Sequence, residues 1–161
     1  MATQHSDKPT KLPSATGFRF GIVVSDWNET VTHALLAGAT ETLCVHAGVP
    51  PSDVIVKHVP GSFELPLAAQ WLAENSFVDA IICLGCVVTG ETRHDHYINS
   101  AVAQGIMQLN LKLGIPFIFG VLTPQTQQQA LDRAGGKHGN KGSEAAETAV
   151  RMLVLRKEMS T

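Results

Sequence analysis

The chain has 161 residues, 44% of them apolar, with 12 Lys and Arg set against 14 Asp and Glu. That length suits one domain whose core needs neither disulfides nor a structural metal. The near-neutral balance excludes nucleic acid or an acidic membrane surface as the main partner. Cys44, Cys83 and Cys86 form an odd set without framework spacing, so they read as free thiols in a reducing compartment. The opening MATQHSDKPTKLPSATG has no apolar segment of signal-peptide length, and no later apolar run could span a bilayer, which makes the cytoplasm the expected location. Residues 1–16 read as a flexible arm before a single domain over 17–161.

In chain order, FRFGIVVS (Phe18 to Ser25) is a short β-rich run, followed by DWNET and a helical stretch, VTHALLAGATETLCVHAG, stopped by Gly48 and two prolines. VIVKHV then leads through PGSFE into the helical LPLAAQWLAEN. DAIICLGCVV leads through TGETR into a helix predicted from about His94 to Leu113. IPFIFGVL enters a loop at TPQT, before a short helix to about Arg133, a polar loop AGGKHGNKG and a last helix from about Ser143 to Met159. Four βα units in series imply a four-stranded parallel sheet flanked by helices, because parallel strands need crossovers and these run right-handed.

Open α/β sheets bind ligands beyond the carboxyl ends of their strands, and the unusual residues of this chain fall there. Strand one ends in Ser25, Asp26 and Trp27; strand two in Gly61, Ser62, Phe63 and Glu64; strand three in Cys86 through His94; strand four in Phe119, Gly120 and Thr123. One rim thus collects aromatics, a carboxylate, a histidine and small residues that let backbone approach a ligand. We read it as an active site.

Within GETRHDHYI, His94 and His96 resemble an HxH metal pair, with Cys86 and Asp95 as further donors. On a helix, however, residues two apart point about 200° from one another and cannot share an ion. We therefore assign no metal ligand. A simple reading has Thr92 capping the helix and the charges forming its solvated first turn. A sharper one has a phosphate at the glycine-led helix start and proton transfer by His94. Trp27 either covers the core edge or stacks on a planar ring. Glu64 either serves the dipole of its own helix or reaches the rim, and Arg133, Lys137 and Lys141 by themselves read as a surface charge run.

Taken together, VSDWNETVT, VPGSFELP, LGCVVTGETRHDHYI, FGVLTPQTQQQALDRAG and GKHGNKGSEAA resemble, in order and spacing, the 6,7-dimethyl-8-ribityllumazine synthase family over nearly the whole chain from Phe18. The resemblance implies a flavodoxin-like three-layer α/β fold. It also implies condensation of 5-amino-6-ribitylaminouracil with 3,4-dihydroxy-2-butanone 4-phosphate, the penultimate step of riboflavin biosynthesis, with no cofactor. By that resemblance Trp27 stacks on the pyrimidine, where the family usually has a smaller aromatic. Gly61, Ser62, Phe63 and Glu64 hold the ribityl chain, and the backbone of Cys86, Val87 and Val88 reads the uracil edge. Glu91 and Thr92, joined by Arg133, bind phosphate, and His94 transfers protons. Phe119 and Lys141 line the pocket from a neighbouring subunit. The partners implied are two small molecules and further copies of the chain, as a pentamer that builds a sixty-subunit shell. Asp95 and His96 depart from the family's usual aromatic and acid, so neither is given a role. The fold class alone also permits a flavin- or nucleotide-binding protein, although SDWNET lacks the usual phosphate loop, or a shell subunit with a vestigial pocket.

Overall fold

The computed structural model describes residues 11–160. Strands β1 (Phe20–Ser25), β2 (Val54–Val59), β3 (Ala80–Cys86) and β4 (Phe117–Leu122) form one parallel sheet in the order β2-β1-β3-β4. This is the expected flavodoxin-like α/β arrangement, with the strand order reversing between β1 and β3. Helices α1 (Glu29–Glu41) and α5 (Lys141–Met159) cover one face, and α2 (Leu65–Asn75) and α3 (His94–Leu113) the other. A short α4 (Gln127–Asp132) follows β4. Among the described residues no helix is long and apolar enough to cross a membrane.

Burial follows strand position. Every residue of the central β1 and β3 is buried, whereas the edge strands β2 and β4 each expose part of their length. The period-2 alternation of a strand sends Phe20, Ile22 and Val24 of β1, with Ile82, Leu84 and Cys86 of β3, into the core beneath α1 and α5. Val23, Ile81 and Cys83 go to the opposite core beneath α2 and α3. Two-sided burial explains why these strands read as unbroken apolar runs.

The first helix ends where expected, at Gly48 with its φ of 73°, its last stretch Thr42–His46 winding as a π-helical turn. Other element ends differ from expectation for local reasons. The expected polar loop at 134–142 contains a small antiparallel hairpin, β5 (Ala134–Gly136) with β6 (Gly139–Asn140). Gly135 and Gly139 supply the positive φ values that fold it back, a turn signal hidden among its charges. Helix α5 begins two residues earlier than expected because Asn140 caps it, its Oδ1 accepting from Gly142 N at 2.8 Å and Ser143 N at 3.2 Å. Residues 1–10 of the expected arm lie outside the described residues. Within the rest of it Ala15 is fully buried and donates its N–H to Ala47 O at 2.8 Å, so packing begins before residue 17.

The Asn140 cap also locks α5 against α1, because its Nδ2 donates to Ala34 O at 2.9 Å. The helices meet so closely there that a Cβ on Gly142 would overlap the Leu35 carbonyl oxygen. That contact is backbone and cannot rotate aside. Gly142→Ala should therefore cost at least about 2 kcal/mol, read as a lower urea midpoint. An unchanged midpoint would mean that α1 and α5 stand further apart.

Candidate active site

The four turns that leave the carboxyl ends of the sheet are joined to one another by hydrogen bonds. After β1, Asp26 N donates to Val59 O at 2.8 Å and Trp27 N to Pro60 O at 3.1 Å, tying that turn to the segment after β2. Asn28 takes a left-handed conformation at φ 60°, which asparagine tolerates better than most residues, and its Nδ2 donates to Cys86 O at 2.9 Å. After β3, Val87 N donates to Leu122 O at 2.9 Å and Thr89 N to Pro124 O at 3.0 Å. Alternation along β3 turns the Val88 N–H away from β4, toward the β1 side where Asn28 meets Cys86. The segment Gly61–Glu64 packs onto β3 so tightly that a Cβ on Gly85 would lie 2.5 Å from Ser62 Oγ. Glycine at 85 is what admits the buried Ser62.

On this frame Trp27 is 74% exposed and Phe63 59%, so neither aromatic serves as a core plug. One Glu64 carboxylate oxygen accepts Gly61 N–H at 3.1 Å within the same turn. Glu91, Thr92 and His94 are all exposed. His94 opens α3, and Arg93, not Thr92, occupies the cap position, with no side-chain cap bond. The Thr92 cap is thus corrected: the turn is closed instead by Thr89, whose hydroxyl donates to Asp95 Oδ2 at 3.2 Å. His96 stands at the third position of α3, edge-on to the Tyr97 ring, and the helical phase turns it away from His94.

The cations lie elsewhere. An open cleft of about 570 Å³ beside the end of β4 is lined by Leu122, Thr123, Arg133, Lys137, His138 and Lys141, among others. Arg133 and Lys141 both reach Glu144, at 3.8 and 3.0 Å. Lys137 sits 3.3 Å from Asp132, whose carboxyl is held below its ordinary range mainly by the Gln128 amide at 2.9 Å and further by Lys137. Among the described residues, no hydrogen bond or ion pair joins Arg133 or Lys141 to Glu91, Thr92 or His94. The strand-end placement of Phe119 is corrected as well: it lies in the middle of the edge strand β4, opposite Cys83 and partly exposed, not at the strand's carboxyl end.

Sequence reasoning missed two features. Asn28 had a usable signal, an asparagine between a strand and the first helical turn. Asp26, His33 and His58 converge from three elements, and no local motif announces them.

An open parallel sheet with this strand order marks an α/β protein of flavodoxin-like topology, the class in which ligands bind at the switch point. The sequence comparisons narrow this class. The family model for 6,7-dimethyl-8-ribityllumazine synthase matches residues 17–157, and the chain belongs to that family. Relatives named 6,7-dimethyl-8-ribityllumazine synthase include one from Cytophaga hutchinsonii, 56% identical over 89% of this chain and 89% of its own. Another, from Parabacteroides distasonis, is 55% identical over 88% of each chain. A third, from Flavobacterium johnsoniae, is 47% identical over 99% of this chain and 86% of its own.

The thiols beside the rim follow from burial. Desolvation pushes the Cys86 thiol up to about 11 and the Cys83 thiol to about 12, and it raises Cys44 as well. A raised thiol pKa means a neutral, unreactive S–H at physiological pH. An aromatic disulfide reagent at pH 8 should therefore label Cys83 and Cys86 only after denaturation. Rapid labelling of Cys86 in the native protein would show that its sulfur opens to the rim.

Proposed function

We propose that the protein condenses 5-amino-6-(D-ribitylamino)uracil with 3,4-dihydroxy-2-butanone 4-phosphate, giving 6,7-dimethyl-8-ribityllumazine, phosphate and water, in the cytoplasm. The observation that supports this reading is the stitched rim: the segments matched to the family's stacking, polyol-binding and histidine roles leave the sheet at one end, on turns tied together by Asn28, Pro60 and Leu122. Trp27 stacks on the uracil and the Val88 N–H meets its polar edge. Gly61, Ser62, Phe63 and Glu64 hold the ribityl hydroxyls. Glu91 and Thr92 present the turn that receives the phosphate, and Arg133 supplies its charge.

The chemistry asks for proton traffic more than for strong electrophiles. The aryl amine attacks the ketone, the carbinolamine loses water to an imine, phosphate is eliminated, and the second nitrogen adds to the remaining carbonyl and closes the ring with loss of a second water. Each stage moves a proton, a task suited to an imidazole, and His94 is exposed at the rim without a partner among the described residues. Alignment of two reactive molecules supplies much of the remaining acceleration. Incubating the purified protein with both substrates should yield the fluorescent lumazine, and absence of product would overturn the reading. His94→Ala should lower kcat by roughly 10²-fold while changing KM little; an unchanged turnover number would remove His94 from the mechanism.

A complete pocket then takes two chains, a reading supported by Arg133 and Lys141 having no hydrogen bond or ion pair to Glu91, Thr92 or His94 among the described residues of one chain. Exposed apolar side chains on α2 and α3 and on the segment between α2 and β3, among them Trp71, Phe77, Met107 and Leu111, favour assembly. A repeated head-to-tail contact must close, and here it closes as a pentamer that builds a sixty-subunit shell. Inactive His94→Ala and Arg133→Ala chains, denatured, mixed equally and reassembled, should regain about one quarter of the sites, because each site needs two intact contributors. A mixture as inactive as its parents, despite forming particles, would mean that each chain carries its own pocket.

A further inference from the structure

Asp26, His33 and His58 come from the turn after β1, from α1 and from β2, and they meet on the surface. His58 Nδ1 lies 2.9 Å from Asp26 Oδ1, and the His33 and His58 rings meet edge to face with centroids 6.0 Å apart. One ligand atom from each of the three falls within 4.8 Å of the other two, and all three residues are exposed. Their backbones are held firmly. His58 pairs with the buried Val24 in the β1–β2 ladder, Asp26 N–H is bonded to Val59 O, and His33 follows the fully buried Thr32 on α1. A surface Asp–His hydrogen bond would account for Asp26 and His58. It leaves unexplained why a second imidazole, with no hydrogen-bond partner of its own among the described residues, comes edge-on to the pair.

We propose that Asp26, His33 and His58 form a binding site for a divalent transition metal of the zinc class, with one imidazole nitrogen from each histidine, one carboxylate oxygen and water in the remaining position. The donor set decides the class. Two imidazoles and one carboxylate suit zinc, cobalt, nickel or copper, whereas calcium and magnesium prefer all-oxygen shells. Zinc–ligand bonds of about 2.0–2.1 Å put neighbouring donors of a tetrahedral set about 3.3 Å apart. The three donors lie within 4.8 Å of one another, and because all three side chains are exposed they are free to turn toward a shared ion. A bound ion would staple the turn that carries Trp27 and Asn28 to the edge strand β2 and to α1. The site takes no part in the proposed reaction, and it stands whether or not that reading holds.

Metal-stripped full-length protein titrated with cobalt(II) should develop visible absorption that saturates at one ion per chain, and zinc(II) should bleach it. The His33→Ala/His58→Ala chain should bind either ion at least about 100-fold more weakly, because two of the three donors are gone. Zinc(II) should raise the thermal unfolding midpoint of the parent protein and leave that of the double variant in place. The same comparison with His33→Gln/His58→Gln serves should the alanine chain lose its native circular dichroism. Binding by other histidines or cysteines cancels between parent and variant. Equal affinity in the two chains for both ions would overturn the site and leave the three residues as a surface hydrogen bond with a neighbouring ring.

Discussion

Burial of β1 and β3 on both faces is the constraint on which the rest of the molecule depends. These two strands carry no charged side chain and lie side by side at the centre of the sheet. Their outward turns therefore emerge together at one end, at the point where strand order reverses. Each fully buried isoleucine, leucine or phenylalanine contributes roughly 1.5–3 kcal/mol, so loss of one helical layer would cost more than a domain's net stability. The sheet tolerates polar, exposed and conformationally unusual residues at its rim because the strands beneath them cannot move independently.

The turns are positioned by polar contacts as well as by the core. Asn28 is the example that links the levels: a left-handed residue at a helix start, its amide is spent on the Cys86 carbonyl of another turn. Residues in sparsely populated backbone regions persist where surrounding structure over-determines them. Close packing acts in the same direction at Gly85, where the absence of a Cβ lets Ser62 sink against β3. The result is a tightly tied frame with exposed aromatic and ionisable groups projecting from it.

Charge is distributed unevenly around that frame. The His94 turn on α3 carries exposed polar groups, while Arg133, Lys137 and Lys141 gather in the cleft beside β4 and share the carboxylates of Asp132 and Glu144. The β5–β6 hairpin is what holds these cations in place, since Lys141 N donates to Arg133 O at 2.8 Å and His138 N to Asp132 O at 2.8 Å. Within one chain, then, these cations are neutralised by neighbouring carboxylates, and no hydrogen bond or ion pair among the described residues links them to His94.

The strands and the long helices were legible from sequence because each rests on local periodicity: two-residue alternation or unbroken apolar runs for strands, and helices that end where glycine or proline cannot continue. The turn segments were legible for a different reason, as a set of motifs at a family's spacing, which also pointed to the reaction. Tertiary structure decided what depends on long-range approach. That the Asn140 cap of α5 also ties the helix to α1, its Nδ2 donating to Ala34 O, is such a case. The hairpin at 134–140 hid among charges, and Phe119, which looked like a strand-end residue, lies mid-strand because β4 runs on to Leu122. Asp26, His33 and His58 belong to no motif at all; the β1–β2 register and the path of α1 bring them together, and neither can be read from residues that are not neighbours in the chain.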